Sequence, residues 1–513
     1  MGTKKIGLTL LVILLSSSSI VFAQGYVESA LLFSRTRPWG SARIQGLGGA
    51  QIALGGDYSS SLSNPAGLGM YNRSEVTLST GLSFYNTDAN YKNNSTSEST
   101  SKLNIPGLSL VYNIPSERES DFVSGSIAIS MSRVNDFNRS IRYQGVNTIS
   151  SIADSFIDNA WGSTTAQFDT DAFNYNTPTG LAYFNYLIGP TTVVDPDAPD
   201  DEYFSDVNNP DDETLPPFSA LQKEEIENKG SASQWNFAYG TNYKDILFLG
   251  AGVGITSLKY RSQKTYSEEY DGDGPINNMV LNENLSMSGT GVNLTLGAIV
   301  RPVRFFQFGV SFTTPTYIAI SERYNASMST SWNDFDYYGD GSEILGDNTG
   351  NPITLDEVVS DYALTTPLKV SAGIAFISKY GLITADIESS NPGRAKYSSS
   401  QGLSFGEEND LIRSSFKKAL TYRVGIEGKI DIFRIRAGYS LQGNTLDNSI
   451  GFNNKVQTIS GGIGIRKSKF SVDFALASSS YDSFYNPYLT YETPVVELKN
   501  KVTNGVVTVG FFF

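Results

Sequence analysis

The side chains that could do chemistry in this chain are carboxylates and arginines, because its 513 residues include no histidine and no cysteine. This composition excludes Ser-His-Asp triads, cysteine nucleophiles and metal sites ligated by histidine or cysteine. Three arginines, Arg423, Arg434 and Arg436, share a face with polar or small residues in two neighbouring segments. An arginine can pair with a ligand carboxylate through two parallel hydrogen bonds, or with an acidic side chain of the protein.

The overall charge narrows the classes of function further. The formal net charge is −14, which argues against a nucleic-acid partner. An enzyme is not expected, because a serine hydrolase needs a histidine base; composition alone leaves an aspartyl pair open. Acidic residues cluster at 195–202, but their spacing matches no calcium-binding loop, so we expect solvated loop acids and no metal or other cofactor.

The first 23 residues predict a secretory signal peptide. Lys4 and Lys5 precede an apolar run over 6–15, and Val21-Phe22-Ala23 gives small residues at the expected positions before a cleavage point at Gln24. The apolar run is too short to span a membrane as a helix, and no later run reaches the required length of about 18 residues. The sequence therefore predicts an exported protein that is either soluble or a barrel in an outer membrane.

The elements that must position the three arginines are β-strands, since apolar and polar residues alternate with period two. In Phe433–Gln442, for example, Phe, Ile, Ala, Tyr and Leu alternate with Arg, Arg, Gly, Ser and Gln. We predict fourteen such strands between residues 75 and 513. Long and short connections alternate between them, which is typical of a transmembrane barrel and not of a soluble sandwich. The last strand ends in Phe513, as in barrels that are inserted into outer membranes.

Two regions are predicted to lie outside the strands. Residues 24–74 are rich in glycine and serine and are expected to plug the lumen, because a fourteen-stranded barrel is too wide for its own side chains to fill. Residues 144–233 are the longest connection, an extracellular insertion with an acidic second half. Within it, residues 150–161 predict a short amphipathic helix.

The N-terminal region also carries a family resemblance. Ser63–Leu68 (SNPAGL) follows Ala42–Gly49 (ARIQGLGG) and Ala53–Asp57 (ALGGD). This order resembles the FadL/TodX family of outer-membrane transporters for long-chain fatty acids and aromatic hydrocarbons, where an Asn-Pro-Ala element lies in an N-terminal hatch. Looser matches are Thr366–Leu368, Asp386–Glu388 and Arg434–Tyr439.

The resemblance implies an all-β fold: a fourteen-stranded antiparallel transmembrane barrel with an N-terminal hatch in the lumen. It implies capture of a hydrophobic ligand in outer loops, passage to a pocket beside the hatch, and release by hatch rearrangement and a wall opening, without ATP hydrolysis. The very long, acidic insertion departs from the family pattern at the capture site. The implied hatch residues are Asn64, Pro65, Ala66, Gly67 and Leu68.

The function predicted from these observations is passive uptake of hydrophobic small molecules, such as long-chain fatty acids or similar apolar compounds. The expected setting is the bilayer of a Gram-negative outer membrane, and the expected state is a monomer. The alternative is a scaffold or shuttle that binds protein partners in secretion, which the long insertion keeps open. The three arginines could contact a ligand or pair with acidic side chains in the lumen. We favour ion pairs with lumen acids, because barrel lumens are polar. The candidate acids are Glu427, Asp473, Asp386 and Glu388.

Overall fold

The computed structural model describes residues 20–35, 40–116, 121–170, 176–191, 202–207, 218–271 and 274–513. Most of the predicted signal peptide and most of the acidic cluster at 195–202 lie outside the described residues. Within them, no helix is both long enough and apolar enough to cross a membrane.

Fourteen antiparallel strands form a closed barrel, which confirms the predicted fold class. The first seven are β1 Glu75–Tyr91, β2 Asn94–Pro115, β3 Phe122–Asp136 with its continuation Arg139–Asn147, β4 Ala220–Tyr243, β5 Leu247–Tyr270, β6 Ile276–Val303, and β7 Phe306–Thr313 with its continuation Tyr317–Asp336. The others are β8 Val358–Thr365 with its continuation Lys369–Ser378, β9 Gly381–Ser390 with Lys396–Ser398, β10 Ala419–Ile430, β11 Phe433–Gln442, β12 Val456–Arg466, β13 Phe470–Tyr485 and β14 Val496–Phe512.

The barrel closes where the last strand meets the first. β14 pairs with β1 from Glu75↔Phe512 to Asn90↔Glu497. Beyond this ladder, Ser74 and Phe513 exchange both backbone hydrogen bonds, at 3.1 and 3.0 Å between N and O. No unpaired edge remains between the two ends of the sheet, which removes the aggregation hazard of an exposed apolar strand.

Several strands extend further than their apolar alternation predicts. Residues 86–104, where the apolar alternation is lost, continue β1 and β2 to a two-residue turn at Lys92 and Asn93, both with positive φ. Likewise β4 begins at Ala220, so the insertion is shorter than the predicted 144–233. Beyond the apolar belt, strand pairing is maintained by backbone hydrogen bonds while the outward positions carry polar residues such as Asn86, Asp88 and Asn90, so the apolar alternation that reveals a strand is lost.

The barrel exterior is apolar and its interior is polar. Every strand points at least one large, solvent-exposed hydrophobic side chain outward, such as Leu78, Phe237, Leu294, Val424 and Phe474. The neighbouring inward positions carry small or polar residues. A belt of this extent on a soluble protein would be an exposed patch far larger than monomers tolerate, so it indicates contact with lipid.

The insertion between β3 and β4 folds over the outer mouth of the barrel as an apolar cap. It contains helices α4 Ile152–Ala160, α5 Thr165–Thr170 and α6 Pro178–Phe184. α4 lies where the amphipathic helix was predicted, and its buried side chains pack with strand residues in one hydrophobic cluster. Its N-terminus is fixed by the buried Glu268 of β5, whose carboxylate accepts hydrogen bonds from Ser151 Oγ (2.5 Å) and the Ile152 N–H (2.9 Å).

The remaining helices lie in the lumen and in the outer loops. Helix α1 Ile20–Ser34 lies within the outer part of the barrel, α2 Ala42–Gly46 and α3 Ser60–Ser63 precede β1, and α7 Gly406–Ser415 follows β9. Tyr26 of α1 packs its ring edge-on against Tyr362, Tyr397 and Phe405 at 5.3–5.4 Å between centroids. This aromatic cluster fixes α1 against the outer half of the wall.

Candidate functional site

Residues 40–74, called the lumen segment below, fill the inner part of the barrel. Nearly all of its side chains are buried, including Ile44, Leu47 and Leu54. Its backbone bonds to inward-facing wall residues: the Ala42 N–H donates to Thr508 Oγ1 at 2.8 Å, and the Gly48 N–H donates to Ser460 Oγ at 3.0 Å. The segment is thus bonded to strands at widely separated points on the wall.

Asn64 organises the Asn-Pro-Ala-Gly-Leu element at the N-terminus of a 3₁₀ helix, Pro65–Met70. Its Oδ1 accepts a hydrogen bond from the Ala66 N–H at 3.2 Å, which is the standard role of an N-cap residue. Its Nδ2 donates to the carbonyl oxygen of Ile52 at 2.6 Å. The amide therefore holds two parts of the lumen segment together, and it is fully buried.

The wall meets this element with a row of glycines that the sequence analysis did not single out. Gly240, Gly250 and Gly297 face one another across β4, β5 and β6. A Cβ added at Gly250 would lie 2.2 Å from the Pro65 carbonyl carbon, and one at Gly297 would lie 1.8 Å from Asn64 Oδ1. Backbone of the lumen segment thus occupies the space that any larger residue would need.

Two further glycine pairs repeat the arrangement around the wall. Gly309 and Gly373 are cross-strand neighbours beneath Ile52, and Gly425 and Gly438 are cross-strand neighbours beneath Leu47. The sequence contains these glycines at positions that the register of each hairpin places opposite one another. Their role could not be predicted from it, because the role depends on which backbone segment lies against them.

Charged side chains also join the lumen segment to the wall. Asp386 of β9 accepts the backbone N–H groups of Gln51 and Ile52 through Oδ2, at 2.6 and 2.9 Å. On the neighbouring strand β10, Glu427 Oε2 lies 3.7 Å from Arg43 Nε. These contacts link strands β9 and β10 to residues more than 300 positions earlier in the chain.

The three predicted ligand arginines lie in different settings. Arg436 is buried and pairs with Glu427 and Asp473, each at 2.6 Å. Arg423 is buried and pairs with Glu388 at 3.1 Å. Arg434 is only half-buried and donates to two backbone carbonyls of its own turn, at 2.8 Å. The structure thus brings Arg423 and Arg436 into the lumen on acidic partners, and leaves Arg434 at the inner rim.

Two cavities lie above the lumen segment, on either side of α1. The inner cavity, of about 140 Å³, is lined mainly by polar residues and includes Arg423 and Glu388. The outer cavity, of about 210 Å³, lies between α1, the cap and strands β5–β7, and includes Phe156, Leu281 and Met287. Mostly apolar walls with a few polar groups are typical of sites for hydrophobic small molecules.

The wall is interrupted beside α1. β3 pairs with β2 only from Ser124 to Ser132, and its continuation Arg139–Asn147 pairs with β4 alone among the described residues. At the break, Asn135 turns inward and donates to the Leu32 carbonyl oxygen of α1 at 2.7 Å. The break gives the barrel a lateral discontinuity at the level of the inner cavity, whose lining includes Val134 and Asn135.

Among the described residues, no group of three or more acidic side chains is arranged to hold a metal ion. The most buried carboxylates are held by hydrogen bonds from tyrosines, serines and backbone amides, as at Glu268 and Asp386.

Comparison with known proteins identifies the fold. No family model matches the sequence, and no curated protein matches it. Among solved structures, a FadL homologue of Pseudomonas aeruginosa has a TM-score of 0.53 at 12% identity, with 93% of this chain and 99% of that chain covered. The toluene transporter TodX of P. putida has a TM-score of 0.52 at 11% identity, with 92% and 98% covered. The resemblance to the FadL/TodX family is confirmed at the level of the fold.

Proposed function

We propose that this chain is an outer-membrane channel for the passive uptake of hydrophobic small molecules in a Gram-negative bacterium. The observation that carries the proposal is a pair of cavities on either side of α1: the outer one is mostly apolar and enclosed by the cap, and the inner one is lined by Val134 and Asn135 at the break in β3. A hydrophobic molecule must remain in contact with apolar surface along its route, since each exposure to water costs free energy. A cavity of this kind next to an interrupted wall provides such a route.

The proposed route has two ends. The ligand enters between the cap and the strands, occupies the outer cavity beside α1, and leaves sideways through the break. The lumen segment, acting as a hatch, closes the inner end of the barrel, where three glycine rows and the contacts of Asp386 and Arg43 hold it. No cofactor or ATP hydrolysis is required, because the ligand moves down its own concentration gradient. A single chain contains the whole route, which supports a monomer.

The residues that line the lumen and the two cavities limit the class of ligand that the channel can bind. The sequence resemblance favours a long-chain fatty acid or a similar apolar compound, and the inferred lumen face makes Arg423, Arg434 and Arg436 candidate contacts for a carboxylate headgroup, in competition with lumen acids. In the structure, Arg423 and Arg436 already pair with carboxylates. A fatty-acid headgroup would have to displace Glu388 from Arg423 to bind there. We therefore propose that the apolar part of the ligand dominates recognition.

A cavity-filling substitution tests the proposal. Gly25 of α1 lines the outer cavity, and a Cβ there would meet no atom within 4 Å, so a larger side chain can start from this position and Gly25→Trp is expected to occupy the cavity. Gly350 in an outer loop has equal room, and Gly350→Trp is the matched control. Uptake of a radiolabelled alkane or fatty acid is measured in a Gram-negative host expressing each variant.

We expect Gly25→Trp to abolish the channel-dependent uptake and Gly350→Trp to retain it. Heat-modifiable migration on gels checks that both barrels are folded. Uptake that is unchanged in folded Gly25→Trp refutes the outer cavity as part of the route.

A further inference from the structure

The outer cavity contains more negative than positive charge. Among its described lining residues, Glu28, Glu283 and Glu322 contribute carboxylates, and Lys264 contributes an ammonium group. The opposite balance would be expected of a site for fatty-acid headgroups, because a carboxylate is repelled by carboxylates and attracted by cations.

Two of these carboxylates are already hydrogen-bonded. Glu283 accepts from Tyr324 OH at 2.8 Å, and Glu322 accepts from Tyr362 OH at 2.5 Å. Lys264 donates to Tyr485 OH at 3.3 Å, with its ammonium group 5.3 Å from the centre of that ring. Within the described part of the chain, Lys264 has no carboxylate oxygen within 4.0 Å, so its charge is not neutralised by a direct ion pair.

Glu28 of α1 differs from the other two. The barrel encloses it, yet its side chain faces the open space of the cavity. It has no hydrogen bond or ion pair with the described residues, and Lys264 and Arg139 act on it only at longer range. Its carboxylate is exposed to that space, so a cationic group that entered the cavity could pair with it directly.

The walls around these carboxylates are aromatic. Ring faces and edges come from Tyr26, Phe156, Tyr260, Tyr324, Tyr485 and Tyr488. Aromatic faces attract cations electrostatically, most strongly where water is excluded. Carboxylates and aromatic rings around one space are the two features by which proteins recognise substituted ammonium groups.

We infer that the outer cavity takes hydrophobic molecules that carry an ammonium group, and that it disfavours fatty-acid carboxylates. This inference rests on the proposed uptake function and specifies its substrate class. The ammonium group would meet Glu28, and the hydrocarbon part would contact Phe156, Leu281 and Leu285. A carboxylate in the same cavity would meet a lining with three carboxylates and one ammonium group.

Removal of the predicted signal peptide does not reverse this balance. Cleavage before Gln24 would create an α-ammonium group one residue before Gly25, at the edge of the cavity. The lining would then have two cationic groups against three carboxylates. Mass spectrometry of the purified protein determines the N-terminal residue before any binding experiment.

The test compares three probes with one hydrocarbon tail: dodecylammonium, dodecanol and dodecanoate. Binding to the full chain in lipid nanodiscs is measured at pH 7 with radiolabelled probes, and Gly25→Trp nanodiscs give the background from bilayer partitioning. We expect dodecylammonium to bind at least about tenfold more tightly than dodecanoate, as for other charge-assisted contacts. Glu28→Gln, which removes no contact with a described residue, should weaken dodecylammonium about tenfold and leave dodecanol unchanged.

Glu497→Gln is the matched control, since Glu497 lies on the outside of the barrel and its loss makes the same change in net charge. Equal or tighter binding of dodecanoate, or unchanged dodecylammonium binding by Glu28→Gln, overturns the inference. If dodecanol alone shows saturable binding that Gly25→Trp removes, the uptake proposal stands and the ammonium preference fails. If none of the three probes shows such binding, both fail.

Discussion

Replacing Gly297 by alanine should loosen the lumen segment without unfolding the barrel. The added Cβ would lie 1.8 Å from Asn64 Oδ1, so the Asn64 amide must move by more than about 1 Å. That movement breaks its bonds to the Ala66 N–H (3.2 Å) and the Ile52 carbonyl oxygen (2.6 Å). Leaving such buried groups unpaired costs about 1–3 kcal/mol each, so a loss of roughly 3 kcal/mol is a central estimate.

The assay is hydrogen exchange by mass spectrometry on peptides from residues 41–71. A loss of roughly 3 kcal/mol corresponds to about a hundredfold increase in the open population and in the exchange rate. Exchange in the barrel strands should not change. Gly461→Ala is the control, because a Cβ there would have no neighbour closer than 3.6 Å.

A double-mutant cycle separates this mechanism from general damage to β6. Asn64→Ala alone should loosen the segment by a similar amount, because it removes the same cap. In the Asn64→Ala variant, a Cβ added at position 297 no longer clashes with the Asn64 side chain. Adding Gly297→Ala should therefore increase the exchange rate of the lumen segment little further. Additive losses in the double variant, or wild-type exchange in Gly297→Ala, would show that the glycine row does not seat Asn64.

Other contacts give three further predictions. Asp386→Ala should speed amide exchange at Gln51 and Ile52 by tenfold or more, since both N–H groups lose a charged acceptor; unchanged exchange at these amides would contradict the contact. Arg436→Ala removes the cation that pairs directly with Glu427 and Asp473, leaves Glu427 only the longer contact with Arg43, and should destabilise the barrel by about 3 kcal/mol, measured by urea unfolding in detergent; a loss below about 1 kcal/mol would argue against the pairing. Glu268→Ala should make the cap susceptible to limited proteolysis while the barrel keeps its thermal stability, because Glu268 holds the start of α4; an equally resistant cap would refute that role.

Local patterns in the sequence were sufficient for the architecture of the wall. The strand count, the inward orientation of Arg423 and Arg436, and the short inner turns all follow from period-two alternation and turn positions, which involve neighbouring residues only. Strand lengths beyond the apolar belt were underestimated, as at β1 and β2, because polar residues at the outward positions remove the alternation there. The Asn64–Leu68 element could be recognised from its position before the first strand. Its contacts with the wall could not be predicted from the sequence.

The sequence by itself determined that this chain is a β-barrel with an apolar exterior and a polar lumen, because hydrophobic alternation and composition are one-dimensional. Only the tertiary structure decided what fills that lumen. Asp386 contacts Gln51 across 335 positions, and Gly297 meets Asn64 across more than 200, because closure of the barrel brings distant segments together. The cap, the break in β3 and the acidic outer cavity have the same origin. Each depends on which surfaces come into contact, and no local periodicity contains that information.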